Sequence, residues 1–281
     1  MAPQTFDWAM YRYVPSLIGA IISIVVFLIL TTLHTWQLWR TRKIIIVWIV
    51  VGAACEVVGY AARIGSHYDN TSWPAFIIQG IFVLIGPLFF AATIYMMLGR
   101  TIRLAGGEEA SIIKPKWCTR LFVGADISTL VLQGMGASIM GTMKLELAIA
   151  GEKIVIAGLA LQVATFVTFL VVATAFHIRM NAKIINGSVI AASDEWRKIL
   201  WILYSVSSLI LIRCIFRLIE YAMGNSSYLI SHEWTLYVFD TTLMVIVLVM
   251  LLILQPTKYV PRDKKRSSSS DMEELGAVQS S

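Results

Sequence analysis

The chain concentrates its chemistry in Arg213-Cys214-Ile215-Phe216-Arg217-Leu218-Ile219-Glu220, three full charges in, or at the edge of, an apolar run from Ile199 to Ile219. A charge inside a membrane span costs at least about 2.5 to 3.5 kcal/mol at the helix centre, so such residues face a water-filled cavity or an opposite charge. Arg213, Arg217 and Glu220 fall at i, i+4 and i+7, as do Glu56, Tyr60 and Arg63, so each set projects from one face of a helix. Asp126 and Gln133 form a weaker pair at the same i, i+7 spacing, and Gln79, Glu233 and Asp240 complete the candidate substrate-binding set. The carboxylates Glu56, Asp126, Glu220, Glu233 and Asp240 outnumber the arginines Arg63, Arg213 and Arg217. At least one carboxyl therefore has no arginine of its own and is protonated, hydrated at a cavity mouth, or open to a cationic ligand. For Arg217 and Glu220 a fixed staple between helices is an equally good account.

The elements that must hold these residues are membrane helices. Of 281 residues, 58% are hydrophobic and 14% charged, with a mean hydropathy of +0.75, which is too apolar for a soluble domain. Helices of about 20 apolar residues cross the hydrocarbon because every backbone group must be satisfied internally. Seven such spans are predicted: Val14 to Leu33, Ile44 to Ile64, Ala75 to Leu98, Leu121 to Met143, Ile154 to Phe176, Ile199 to Ile219, and Thr235 to Leu254. The expected fold is an all-α, polytopic seven-helix bundle over residues 14–256, between an extracellular segment at 1–13 and a disordered cytosolic tail at 257–281.

Lysine and arginine set the orientation. Seventeen lie in the loops and tail of one side, three on the other and three within spans, which predicts an N-terminus outside and a C-terminus in the cytosol. The net charge of +6 is thus an orientation signal, with no nucleic acid implied. Asp7 and Arg12 before the first span argue against a cleavable signal peptide. Cys55 and Cys214 in spans and Cys118 at the cytosolic edge predict no extracellular disulfide. Asn70-Thr71-Ser72 and Asn225-Ser226-Ser227 are glycosylation sequons on the predicted outer side.

At about 1.5 Å per residue, Glu56 lies about 18 Å into the second span, and Arg213 and Arg217 about 21 and 27 Å along the sixth. Asp240 is about 10 Å into the seventh from its outer mouth at Glu233. The charge gathers in the outer half, where the stripes of the second and sixth spans are expected to meet across one cavity with Glu56 opposite Arg213. Gly86-Pro87 is expected to kink the third span.

Other chemistries lack their parts. No Gly-x-x-x-x-Gly-Lys-Ser/Thr phosphate loop is present, the seventh span has no lysine for a retinal Schiff base, and the short loops leave no room for a soluble catalytic domain. His34 and His177 are predicted on one side and His67 and His232 on the other, too scattered for a zinc hydrolase. A haem between His34 and His177 is conceivable, but satisfied interfacial histidines are the simpler account. No enzyme activity, metal or cofactor is expected.

Several ordered motifs carry a resemblance: Tyr11-x-Tyr13-x-Pro15-Ser16, His34-x-x-Gln37, Glu56-x-x-Gly59-Tyr60-x-x-Arg63, and the series Gln79, Pro87, Ala91-Ala92, Tyr95. They continue through Asp126, Gln133-Gly134-x-Gly136, Gly158-Leu159-x-x-Gln162, Arg213-x-x-Phe216-Arg217-x-x-Glu220 and Glu233-x-x-x-Tyr237-x-x-Asp240. Over nearly its whole length the chain resembles the fungal lipid-translocating exporter family, also called the resistance-to-aminocholesterol family. It departs at Gln255-Pro256-Thr257, where that family often has His-Pro-Gly. The resemblance implies a plasma-membrane protein that handles sphingoid long-chain bases, toxic sterol-like or drug-like amphiphiles or, in one branch, porphyrins. The expected partners are such an amphipathic lipid and the surrounding membrane lipid, with an ammonium head meeting Glu56, Glu220 or Asp240. A seven-helix receptor or sensor for a lipid has the same layout and stays open as the alternative.

Overall fold

The computed structural model describes residues 15–68, 73–140, 145–186, 195–224 and 232–254. The terminal segments at 1–13 and 257–281, both sequons, and Gln255-Pro256-Thr257 lie outside the described residues. The described chain is all helical, with seven helices long and apolar enough to cross a membrane: α1 (Leu17–Thr41), α2 (Ile44–Tyr68), α3 (Trp73–Leu104), α4 (Pro115–Met140), α5 (Leu145–Ile185), α6 (Glu195–Ala222) and α7 (Glu233–Leu254).

The helices outrun the predicted spans because hydropathy sees only their apolar middles. α5 is the extreme case: its 41 residues, about 62 Å at the usual rise, carry Glu146, Glu152 and Lys153 at one end and Lys183 at the other. Local chemistry fixes several ends. Ser16 caps α1 by accepting from the Gly19 N–H at 3.3 Å, and Pro115, whose missing N–H would be an orphan in a first turn anyway, opens α4. Arg42, in the left-handed region at φ 49°, closes α1 with its N–H on the Leu38 carbonyl and turns the chain directly into α2.

Lipid replaces water around these helices, so outward residues stay apolar and polarity points inward. Ile18, Ile22, Trp39, Val171, Ile178 and Trp201 face out. α3 is central, with 61% of its most apolar stretch buried against 28% for α1. It packs on α2, α4 and α6, while α7 closes the bundle against α1 and α6. Small residues let backbones approach: a Cβ on Gly52 would come within 2.9 Å of the Gly86 carbonyl oxygen, and one on Gly151 within 2.6 Å of the Gly136 carbonyl oxygen. Toward the Leu254 end of α7 the interior is aromatic and aliphatic, built on Phe90, Tyr95, Phe169, Phe176 and Trp196. The buried charges lie mainly toward the Glu233 end.

Candidate functional site

A proline in α3 and a widened turn in α7 build the charged region. Pro87 lies inside α3, and a proline cannot donate to the carbonyl four residues earlier. That carbonyl belongs to Val83, and Arg213 of α6 takes it up with an Nη2 donation at 2.9 Å. In α7, Tyr237–Thr242 forms a π-helical turn, with the Thr242 hydroxyl donating to the carbonyl of Tyr237 five residues back at 2.8 Å. The widened turn holds the consecutive residues Asp240 and Thr241 both inside, 2% and 8% exposed.

Asp240 is the hub. Arg213 donates from Nε to its Oδ1, and Arg217 from Nη2 to its Oδ2. Arg217 also donates from Nη1 to Glu220 Oε2 at 2.9 Å. Two turns nearer the mouth, Arg63 of α2 pairs with Glu233 at 2.7 Å. The same carboxylate accepts the Ser16 backbone N–H at 2.8 and 2.9 Å and the Tyr237 hydroxyl at 3.0 Å, which ties α1, α2 and α7 together. Gly19 makes room for the Tyr237 ring, since a Cβ there would be 2.6 Å from the phenol oxygen. Tyr60, buried and stacked on Phe27, shares a short hydrogen bond with Thr241. Each arginine therefore meets a carboxylate, as buried charge requires.

Glu56 stands apart. It is 1% exposed, its Oε1 has no hydrogen-bond partner, and it enters no ion pair among the described residues. Arg213, Arg217 and Asp240 are close enough to act on it electrostatically, but the expected direct pairing of Glu56 with Arg213 is replaced by the Asp240 pairing. The reason is placement: α7 packs beside α6 and offers its carboxylate first, while the Glu56 carboxyl rests where Gly86 of α3 has no side chain. Thus the stripes of α2 and α6 meet chiefly through α7.

Asp126 and Gln133 also part company. Asp126 turns to α3, accepting from the Tyr95 hydroxyl at 2.8 Å, whereas Gln133 donates its amide to Gln162 of α5 at 3.1 Å. Gln133, Gln79, Arg217 and Tyr221 supply the polar wall of a partly open cavity of about 130 Å³ lined by α3 to α7. Val83, Leu84, Val155 and Leu159 are among its apolar lining. At its edge Arg217 Nε is buried without a hydrogen-bond partner. The surroundings thus offer amide and guanidinium donors to a polar head, and Glu56, outside the cavity lining, lies within electrostatic reach of the Arg217 guanidinium.

Sequence reasoning missed Tyr237, Thr241, Tyr221 and Gln162 as members of this region, although Tyr237 and Gln162 stand in the quoted motifs. Pro87 was the available signal for the Val83 carbonyl. His34 is deep in the bundle, with Nε2 on the Leu248 carbonyl at 3.2 Å, and His177 packs on Trp196 and Tyr204 of α6, so each is engaged by protein. Among the described residues no group of three or more His, Cys, Asp or Glu could hold a metal.

The profile of RTA1-like proteins matches residues 49–263 of this chain. The chain belongs to the RTA1-like family. Protein RTA1 of Saccharomyces cerevisiae is 36% identical over 74% of the chain, a stretch that spans 64% of that relative's own length. The sphingoid long-chain base transporter RSB1 of the same yeast is 28% identical over 86% of the chain and 72% of its own length. Protoporphyrin uptake protein 1, also from this yeast, is 28% identical over 89% and 92%. No solved structure matches the chain. RTA1-like membership and seven apolar helices make this an integral multi-pass membrane protein.

Proposed function

We propose that this RTA1-like protein is a non-enzymatic plasma-membrane transporter that binds and moves an amphipathic lipid between leaflets, with a sphingoid long-chain base as the natural class. The observation that carries this reading is the cavity between α3 and α7: four polar side chains, Gln79, Gln133, Arg217 and Tyr221, set in an otherwise apolar wall. Its volume suits a headgroup, and the helices around it are apolar enough to leave the tail in lipid. The amides and the Arg217 guanidinium would receive the hydroxyls. Glu56, which no arginine pairs directly, would be the carboxyl left to meet the ammonium. Asp240 and Glu220 are already engaged by arginines, so they hold Arg213 and Arg217 in place and leave the ammonium to Glu56. Relatives whose names carry sphingoid-base transport and protoporphyrin uptake support an amphipathic cargo. The Glu233 end of α7 would face outside, in keeping with the partition of basic residues.

The test is reconstitution into phosphatidylcholine vesicles with a fluorescent long-chain base in one leaflet. The protein should accelerate its redistribution, and Gln133→Leu should lower that rate while leaving the folded yield unchanged. A lipid receptor would bind the base and leave its leaflet distribution as it is in protein-free vesicles, and that outcome would sink the transporter reading.

A further inference from the structure

A second buried carboxyl lies outside the arginine network. Asp126 is 1% exposed and forms no ion pair among the described residues. One oxygen, Oδ2, accepts the Tyr95 hydroxyl, while Oδ1 is buried with no hydrogen-bond partner. Around Tyr95 pack Phe122 of α4 and Phe166 and Phe169 of α5, with ring centroids 4.7 to 5.9 Å away. The ionisable groups that face this pocket are Tyr95 from α3, Cys118 from α4 itself and Cys214 from α6. None of these brings a positive charge. A carboxylate with one neutral hydrogen bond and no cation is strongly disfavoured in such surroundings, whereas the neutral acid leaves only a hydroxyl unpaired.

The pocket is also wired to the charged region. Cys214, within electrostatic reach of Asp126, is the chain neighbour of Arg213, which holds both Asp240 and the Val83 carbonyl that Pro87 leaves free. Cys214 feels both Asp126 and Arg213, so the pocket and the arginine network meet on one turn of α6. We infer that Asp126, with Tyr95 as its hydrogen-bond donor, is a proton-binding site that couples lipid movement to a transmembrane proton gradient. Asp126 binds a proton from one aqueous phase and releases it to the other, and no further reactant is needed. This rests on the transporter reading and adds the coupling ion to it.

The experiment uses the full chain in phosphatidylcholine vesicles under an imposed pH gradient, with a fluorescent N,N,N-trimethyl long-chain base as probe. Its fixed charge keeps the probe from redistributing with pH by itself. Wild type should shift the leaflet distribution, and the shift should reverse when the gradient is reversed. Asp126→Asn keeps an acceptor for Tyr95 but cannot release a proton, so it should still equilibrate the probe without a gradient and should lose the gradient response. An Asp126→Asn protein that keeps the response overturns the inference and leaves Asp126 a structural link between α3 and α4. Wild type that equilibrates the probe but ignores the gradient overturns the coupling and spares the transporter reading. Wild type that moves no probe defeats both. Infrared difference spectra of the wild type and Asp126→Asn give a readout free of transport. A protonated-carboxyl stretch that disappears as pH is raised and is missing from Asp126→Asn is expected, and identical carboxyl difference bands in the two proteins overturn the assignment.

Discussion

Asp240 and Asp126 are both carboxyl residues 1 to 2% exposed inside apolar helices, yet the bundle treats them in opposite ways. Asp240 sits on a π-helical turn between two guanidinium groups, one on each oxygen. Asp126 sits in regular helix with one phenol and an aromatic wall. Around α7, charge is stable because each arginine meets a carboxylate and irregular backbone lends further partners. Among the described residues no cation pairs with Asp126, so a charge there is costly. Glu56 lies between these cases, near the arginines but unbonded at Oε1. Buried acids that close a network hold the fold, and it is to those left out of it that we assign a ligand and a proton.

The sharpest way to break this contrast is Asp240→Asn. It leaves Arg213 without an anionic partner in the membrane interior and should destabilise the protein by about 3–5 kcal/mol. Thermal unfolding in detergent and membrane abundance would register the loss, whereas Asp126→Asn and Glu56→Gln should unfold close to wild type. If all three lose stability alike, the division between network and free carboxyls is wrong.

A smaller effect is expected at Gly86, where an added Cβ would lie 2.6 Å from Glu56 Oε1 and 3.0 Å from its Cδ. Gly86→Ala should cost about 1–3 kcal/mol through overpacking and should slow lipid movement by displacing the carboxyl. Combined with Glu56→Ala it should recover stability but not movement, a non-additivity expected of residues in contact. Additive losses would mean that the Glu56 carboxyl does not occupy the space left by Gly86.

Pro87→Ala should have the least effect. It restores an N–H that competes with Arg213 for the Val83 carbonyl, so one hydrogen bond replaces another and the change should stay within about 1.5 kcal/mol. A loss as large as that of Asp240→Asn would make the Val83 carbonyl, rather than the α7 carboxylate, the chief anchor of Arg213.

The bundle was legible in the chain because lipid imposes a simple rule, and each of the seven apolar stretches lies largely within a helix. Helix ends were less legible, since Leu145 to Lys153 in α5 is helical without being uniformly apolar. The charged residues announced themselves by their cost in hydrocarbon, and their i, i+4, i+7 spacing gave the faces of α2 and α6. The partners did not follow. Nothing local says that Arg213 reaches Asp240 and not Glu56, that Tyr237–Thr242 widens into a π turn, or that Gln133 turns to Gln162 while Asp126 turns to Tyr95.

The sequence by itself determined that this is a seven-helix membrane protein, which residues carry buried charge, and that carboxylates exceed arginines there. Those are properties of composition and period, fixed by the cost of exposing charge or unpaired backbone to lipid. Only the tertiary structure decided which acids are paired. Pairing depends on which helices are neighbours and on a few ångströms of approach, made by Gly86 and Gly19, by the carbonyl released at Pro87 and by the widened turn at Asp240. A linear spacing rule places a side chain on a face; the packing of α3, α6 and α7 selects what that face meets.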